Sequence, residues 1–93
     1  MRVISNKRLV EFAAGHAEAA VPLQMWRRTI EAGVFANFAA LKKSFGTVDK
    51  VEDFFVFDIG GNKFRLIAAV HFNVQKLYVR KVLTHQEYDK WKP

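Results

Sequence analysis

Apolar positions recur every three or four residues through the first half of this chain and alternate in twos through the second. Leu9, Phe12, Ala13 and His16 fall at helical spacing; Ser5 or Asn6 precedes them as a candidate N-cap, and Gly15 offers a stop. A second helix is expected from near Pro22, because proline is tolerated in a first turn. Leu23, Trp26 and Ile30 line its inner face and Gly33 closes it. Asn37 reads as the cap of a third, short helix with Phe38, Leu41 and Phe45 as its stripe, Gly46 as its end, and Lys42 and Lys43 off the stripe.

From residue 51 the period drops to two. Residues 51–59, rich in Phe and Val, predict one strand. Gly60-Gly61-Asn62 follows as a turn, since all three tolerate positive φ. Residues 63–72 alternate Arg65, Ile67, Ala69 and His71 against Phe64, Leu66, Ala68, Val70 and Phe72. Residues 73–75 read as a second turn, 76–83 as a further strand, and 1–4 as a short strand at the start. Thr84-His85-Gln86-Glu87 has capping-box spacing, so a last short helix begins there. Helices followed by a strand meander imply an α+β fold, with the N-terminal helices packed on a small antiparallel sheet.

Composition narrows the function classes. The length of 93 residues suits one domain over 1–93, and 51% hydrophobic residues with nine Phe support a core and argue against disorder. Cys is absent, which excludes disulfides and thiolate metal sites. No apolar run approaches the roughly 18 residues that span a bilayer, and the N-terminus lacks a secretory apolar stretch. The expectation is a complete cytoplasmic protein with no membrane partner. The net charge is +6, from 15 Lys and Arg against 9 Asp and Glu, with ten of the basic residues from Lys42 onward. Such an excess either serves solubility or attracts a polyanion, nucleic acid first and an acidic protein next.

Few residues suit chemistry. His16, His71 and His85 are scattered without the i, i+4 spacing of paired ligands, so neither a metal nor another cofactor is expected. Ser5 and Ser44 look like cap and surface residues rather than nucleophiles. Gly60-Gly61-Asn62 leads into a strand, which fits a hairpin turn better than a phosphate loop.

What remains is Lys63, Arg65, Arg80, His85 and Tyr88. Arg65 and Arg80 sit mid-strand among apolar neighbours, where each must reach solvent, a partner, or an acid such as Asp58. An even-numbered loop before Lys76 would put both on one sheet face. His85 opens the last helix, whose positive end disfavours imidazolium; it is either a proton-transfer group or an exposed helix-start residue. Tyr88 and Asp89 can share its face, Tyr88 as a participant or as an anchor to the sheet.

The stretch Phe57-Asp58-Ile59-Gly60-Gly61-Asn62-Lys63-Phe64-Arg65-Leu66-Ile67 strongly resembles the signature of HigB-type toxins, RelE-like messenger RNA interferases of bacterial toxin–antitoxin pairs. Tyr78-Val79-Arg80 with Thr84-His85-Gln86-Glu87-Tyr88-Asp89 resembles the second family block. Leu41-Lys42-Lys43-Ser44-Phe45 fits the helix before the sheet, and Met1-Arg2-Val3-Ile4-Ser5 fits the start. The Ala-rich stretch 35–40 departs from the more polar middle of relatives.

The resemblance implies a RelE-like fold and a metal-independent endoribonuclease that cuts messenger RNA on the ribosome through attack of the 2′-hydroxyl. It also implies a helix-turn-helix, HigA-like antitoxin as partner, with no direct DNA binding by this chain alone. By position, Arg65, Arg80, His85 and Tyr88 become the catalytic candidates. Asn62, Lys63, Lys42, Lys43 and Lys81 become candidate RNA contacts. A non-catalytic basic RNA- or ribosome-binding module of the same fold is the alternative.

Overall fold

A computed structural model describes all residues 1–93. In chain order the elements are β1 (Arg2–Ile4), α1 (Asn6–Gly15), α2 (Ala20–Ala32), α3 (Phe38–Ser44), β2 (Asp49–Val51), β3 (Phe54–Ile59), β4 (Phe64–His71), β5 (Lys76–Thr84) and α4 (His85–Lys90). Short 3₁₀ turns at Ala17–Ala19 and Phe72–Val74 link α1 to α2 and β4 to β5. No helix is long and apolar enough to cross a membrane.

The helical stripes meet one face of the sheet. Leu9, Leu23, Trp26, Ile30 and Leu41 join Phe55, Phe57, Leu66, Ala68, Leu77 and Val79 in a single buried cluster. At roughly 25 cal/mol per Å² of apolar area, each such large side chain contributes about 1.5–3 kcal/mol, and this burial holds the helices to the sheet. Several local expectations hold. The Asn37 side chain accepts from Ala40 N–H at 2.9 Å, and Gly33 caps α2. The Thr84–Glu87 capping box is formed in both directions. Ser5 stands at the N-cap of α1 but makes no capping bond, and Asn6 instead accepts from Gln24 at 3.2 Å.

The sheet departs from a simple antiparallel meander in three ways. Its order is β1-β5-β4-β3-β2, and β1 pairs parallel to β5, with Arg2 opposite Lys76. Three helices intervene between β1 and the meander, and such a crossover returns a strand in the parallel sense. Residues 51–59 are not one strand. Val51 pairs with Phe54 across a tight turn at Glu52-Asp53, with Glu52 at φ 55, so the run folds into a hairpin. Two consecutive acids inside an apolar run were the signal for that turn.

The third departure is a β-bulge in β5. The β4–β5 loop is residues 72–75, because His71 pairs with Lys76. Gln75, left-handed at φ 54, holds it by donating to Phe72 O at 2.8 Å and to Phe35 O at 2.6 Å. The register then slips: Ala68 faces Val79 but Ile67 faces Lys81, leaving Arg80 as the extra residue. Without the slip Lys81 would oppose Leu66 on the helix-covered face. With it, Val82 packs against the core instead.

Candidate active site

The uncovered face of the sheet carries Asp58 and Arg65, directly opposite one another on β3 and β4. Arg65 is only 9% exposed, and every nitrogen of its guanidinium is engaged. Nε meets Asp58 Oδ1 at 3.1 Å. Nη1 donates to Asn62 O at 3.2 Å and Phe64 O at 3.1 Å. Nη2 donates to Asn62 Oδ1 at 2.6 Å and reaches His85 Nδ1 at 3.4 Å. The ring of Tyr88 lies 5.7 Å from the guanidinium carbon. An arginine has five N–H donors; the four on Nη1 and Nη2 are hydrogen-bonded and the fifth, on Nε, faces the Asp58 carboxylate as an ion pair.

The turn makes this possible. Gly60 and Gly61 adopt φ 63 and φ 71, which costs other L-residues strain, and the chain thereby doubles back to set Asn62 beside Arg65. On the other side, His85 N–H donates to Lys63 O at 3.0 Å, tying α4 to the same corner. Tyr88 stacks on Trp91 at 5.8 Å, and Trp91 meets Phe54 edge-on at 5.8 Å, so the end of the chain is seated on the uncovered face.

Arg65 can only donate, so the contact at His85 makes Nδ1 the acceptor and puts the ring proton of a neutral imidazole on Nε2. Nε2 lies 3.8 Å from Asp89 Oδ2, and the His85 side chain is half exposed. A hollow of about 360 Å³ opens beside it, lined by Glu18, Lys63, Phe64, Thr84, His85 and Gln86. Lys63 Nζ pairs with Glu18 at 3.2 Å, but both side chains are about two-thirds exposed. Such a pair is worth about 0–1 kcal/mol and yields easily to an incoming anion. The hollow thus offers an anion one releasable ammonium and one oriented imidazole.

The structure brings Asn62, Lys63, Arg65, His85 and Tyr88 to one corner and leaves the other candidates elsewhere. Arg80 and Lys81 share the uncovered face through the bulge, but Arg80 lies over the ring of Tyr78 at 5.5 Å, away from Arg65. Lys42 and Lys43 are on α3, whose Phe38 packs on Phe55 from the opposite, helix-covered side of the sheet. Lys42 is further committed to Val48 O at 2.9 Å. Alternation across the sheet accounts for the separation: residues that oppose Phe55 and those that oppose Asp58 face opposite ways. Sequence reasoning passed over Trp91, set His71 aside as a metal ligand, and gave Tyr78 no role beyond its place in the second family block. The doublet Arg80-Lys81 between Val79 and Val82 breaks strict alternation and was the available sign of the bulge.

Glu87 is the one carboxyl with a distinct electrostatic signature here. The Thr84 backbone N–H bonded to it holds it below its ordinary value of 4.5, aided by the Thr84 side chain, while partial burial opposes. Its carboxylate is thereby tied into the cap that starts α4 at His85.

Residues 19–91 match the family model described as HigB_toxin, the RelE-like toxic component of a toxin–antitoxin system. The chain is 36% identical over 92 residues to the mRNA interferase toxin HigB of Escherichia coli strain K12, covering 96% of this chain and 88% of that protein. The mRNA interferase HigB of Shigella flexneri matches to the same extent. An mRNA interferase HigB of Escherichia coli O6:H1 is 29% identical over 93 residues, covering 97% of this chain and 90% of that protein. With helices on one face of a five-stranded mixed sheet and a short closing helix, the fold is the RelE-like α+β arrangement, and the chain belongs to the HigB family of toxin–antitoxin toxins.

Proposed function

We propose that this chain is a messenger RNA interferase: an endoribonuclease that cuts messenger RNA held on the ribosome and is neutralised by a helix-turn-helix antitoxin. The relatives' names support the substrate class. One observation carries the chemistry. The Arg65–His85 contact fixes an exposed imidazole as the tautomer with its proton on Nε2, next to an anion-sized hollow.

In this reading the ribose 2′-oxygen attacks the adjacent phosphorus as its proton passes to water. Lys63 leaves Glu18 and stabilises the charge that develops on the phosphoryl oxygens. The bond from phosphorus to the 5′-oxygen breaks, that oxygen takes its proton from water, and the neutral His85 donates its Nε2–H as a hydrogen bond to the leaving oxygen as charge grows there. The products are a 2′,3′-cyclic phosphate and a 5′-hydroxyl, so no metal is called for. Arg65, with no donor to spare, is a positioning residue rather than a phosphate contact. Tyr88 covers Arg65 and anchors α4. Arg80 and Lys81 contact RNA beyond the scissile phosphate. The site is cytoplasmic by virtue of its ribosomal target.

Incubation with messenger RNA and ribosomes tests this directly. Cleavage should persist in EDTA, leave cyclic-phosphate ends, and stop when the nucleotide before the cut carries a 2′-deoxyribose. Expression alone should arrest bacterial growth, and co-expression with the cognate antitoxin should restore it. Folded protein that leaves RNA intact with and without ribosomes would point instead to a non-catalytic RNA-binding module.

A further inference from the structure

One wall of the His85 hollow comes from the helical layer. It is the 3₁₀ turn Ala17–Ala19 between α1 and α2, and the residues on either side of Glu18 fix it in place. Ala19 is fully buried in the core, and its N–H donates to His16 O at 2.9 Å. The His16 ring stacks on Phe12 at 4.1 Å and meets Phe64 edge-on at 6.0 Å, while its Nδ1–H donates to Phe12 O at 3.2 Å. Glu18 is turned the other way. Its side chain is about two-thirds exposed, lines the hollow and meets Lys63 Nζ at 3.2 Å.

The hollow therefore gathers side chains of different chemistry. Glu18 brings a carboxylate, Lys63 an ammonium, and His85 an imidazole whose Nδ1 is occupied by Arg65. Lys63 joins the other two, through Nζ to Glu18 and through its carbonyl to the His85 N–H. A carboxylate repels a phosphate, so RNA binding alone would be better served by a neutral side chain at this place. What Glu18 has and its neighbours lack is a basic acceptor. The Lys63 ammonium and the free Nε2–H of His85 can only donate.

We propose that Glu18 is a further catalytic residue, the general base that takes the 2′-hydroxyl proton while Lys63 holds the phosphoryl oxygens and His85 faces the leaving oxygen. The proposal rests on the endoribonuclease reading and deepens it by naming the group that passes the proton to water. When the phosphate draws Lys63 away, the carboxylate loses its ion pair and is free to accept. The 2′-O–H bond breaks as the bond from the 2′-oxygen to phosphorus forms, and Glu18 holds the proton as a carboxylic acid. The bond from phosphorus to the 5′-oxygen breaks, and that oxygen takes a proton from water. Glu18 then returns its own proton to water, so the carboxylate is restored and no proton is gained or lost. Attack in line requires the base and the donor to reach the phosphorus from different sides. Glu18 and His85 come to Lys63 from different elements, the turn before α2 and the start of α4.

The test uses the full chain with ribosomes and messenger RNA. Glu18→Gln keeps the shape and removes the base. It should lower kcat roughly a hundred- to ten-thousandfold, with KM no higher and the melting temperature unchanged. Glu18→Asp, which keeps the carboxylate, should recover part of the loss. A synthetic messenger with sulfur in place of the scissile 5′-oxygen separates the two ends of the reaction, because a thiolate leaves without a donor. That substrate should bring His85→Ala close to the wild-type rate and leave Glu18→Gln slow. Glu18→Gln with a wild-type or higher kcat would overturn the proposal and leave Glu18 only as the resting partner of Lys63. Rescue of Glu18→Gln by the sulfur substrate would overturn it too, by placing the residue at the leaving group. A wild-type chain that leaves RNA intact would instead sink the endoribonuclease reading, and Glu18 as its base with it.

Discussion

The two faces of the sheet bury side chains for different ends. On the helix-covered face, Leu9, Leu23, Ile30, Phe57, Leu66 and Leu77 form a continuous apolar core from which solvent is excluded. On the other face only Val56 and Ile67 are comparably buried, and the remaining sheltered place goes to Arg65, the one buried charged residue. Burying a guanidinium is costly unless every donor is matched, and here every donor is. The first face therefore supplies stability through area, and the second holds a polar network whose worth lies in geometry. Arg65 and Arg80 repeat the contrast within the second face: the same side chain is locked by Asp58, Asn62 and His85 in one place and laid open on Tyr78 in the other.

The sharpest way to break this division is His85→Ala. Cleavage should fall roughly a hundred- to thousandfold, as for loss of one oriented transition-state donor, while the melting temperature shifts little. A parallel loss of stability would mean that His85 belongs to the scaffold. Leu66→Ala should do the reverse. It should cost about 2–5 kcal/mol in denaturant unfolding, with the activity of the remaining folded protein retained in the cold.

Within the uncovered face, Arg65→Lys should lower stability by about 1–3 kcal/mol, because a single ammonium cannot serve Asp58, Asn62, Phe64 and His85 together. It should lower kcat with little change in KM, since the imidazole loses its fixed tautomer and not its substrate contact. Arg80→Lys should leave stability within about 0.5 kcal/mol, as expected of an exposed position. Equal losses at the two arginines would erase the distinction drawn between them.

The smallest expected effect is the pH dependence of the α4 cap. The folded Glu87 carboxyl lies below its ordinary 4.5, so its stabilising contribution is present above that value and disappears as the pH falls through the lowered one. Comparing melting temperatures of the native chain and Glu87→Gln should show a small difference at neutral pH that vanishes in acid. A difference that grows in acid would reverse the sign and remove the cap from the account.

Much of this was legible along the chain because it depends on neighbours within a turn or two. The Asn37 cap, the Gly60-Gly61 turn, the Thr84–Glu87 box and the helical stripes all follow from spacings of one to four residues. So did the two sequence blocks by which the family was recognised. The contents of those blocks also placed Arg65 and His85 among the candidates, without saying how they meet.

What only the tertiary structure decided depends on pairing between distant segments. The parallel seat of β1, the hairpin at Glu52-Asp53 and the bulge at Arg80 are matters of register. A one-residue slip reverses the face of every side chain beyond it, and no single strand carries that information. The role of Arg65 turns on the same point. Its charge and strand position are written in the sequence, but whether its donors are free for a phosphate depends on Asp58, Asn62 and His85 converging on it from β3, the turn and α4. That convergence saturates the guanidinium and makes it a support for His85, because a donor already bonded inside the fold has none left for a substrate.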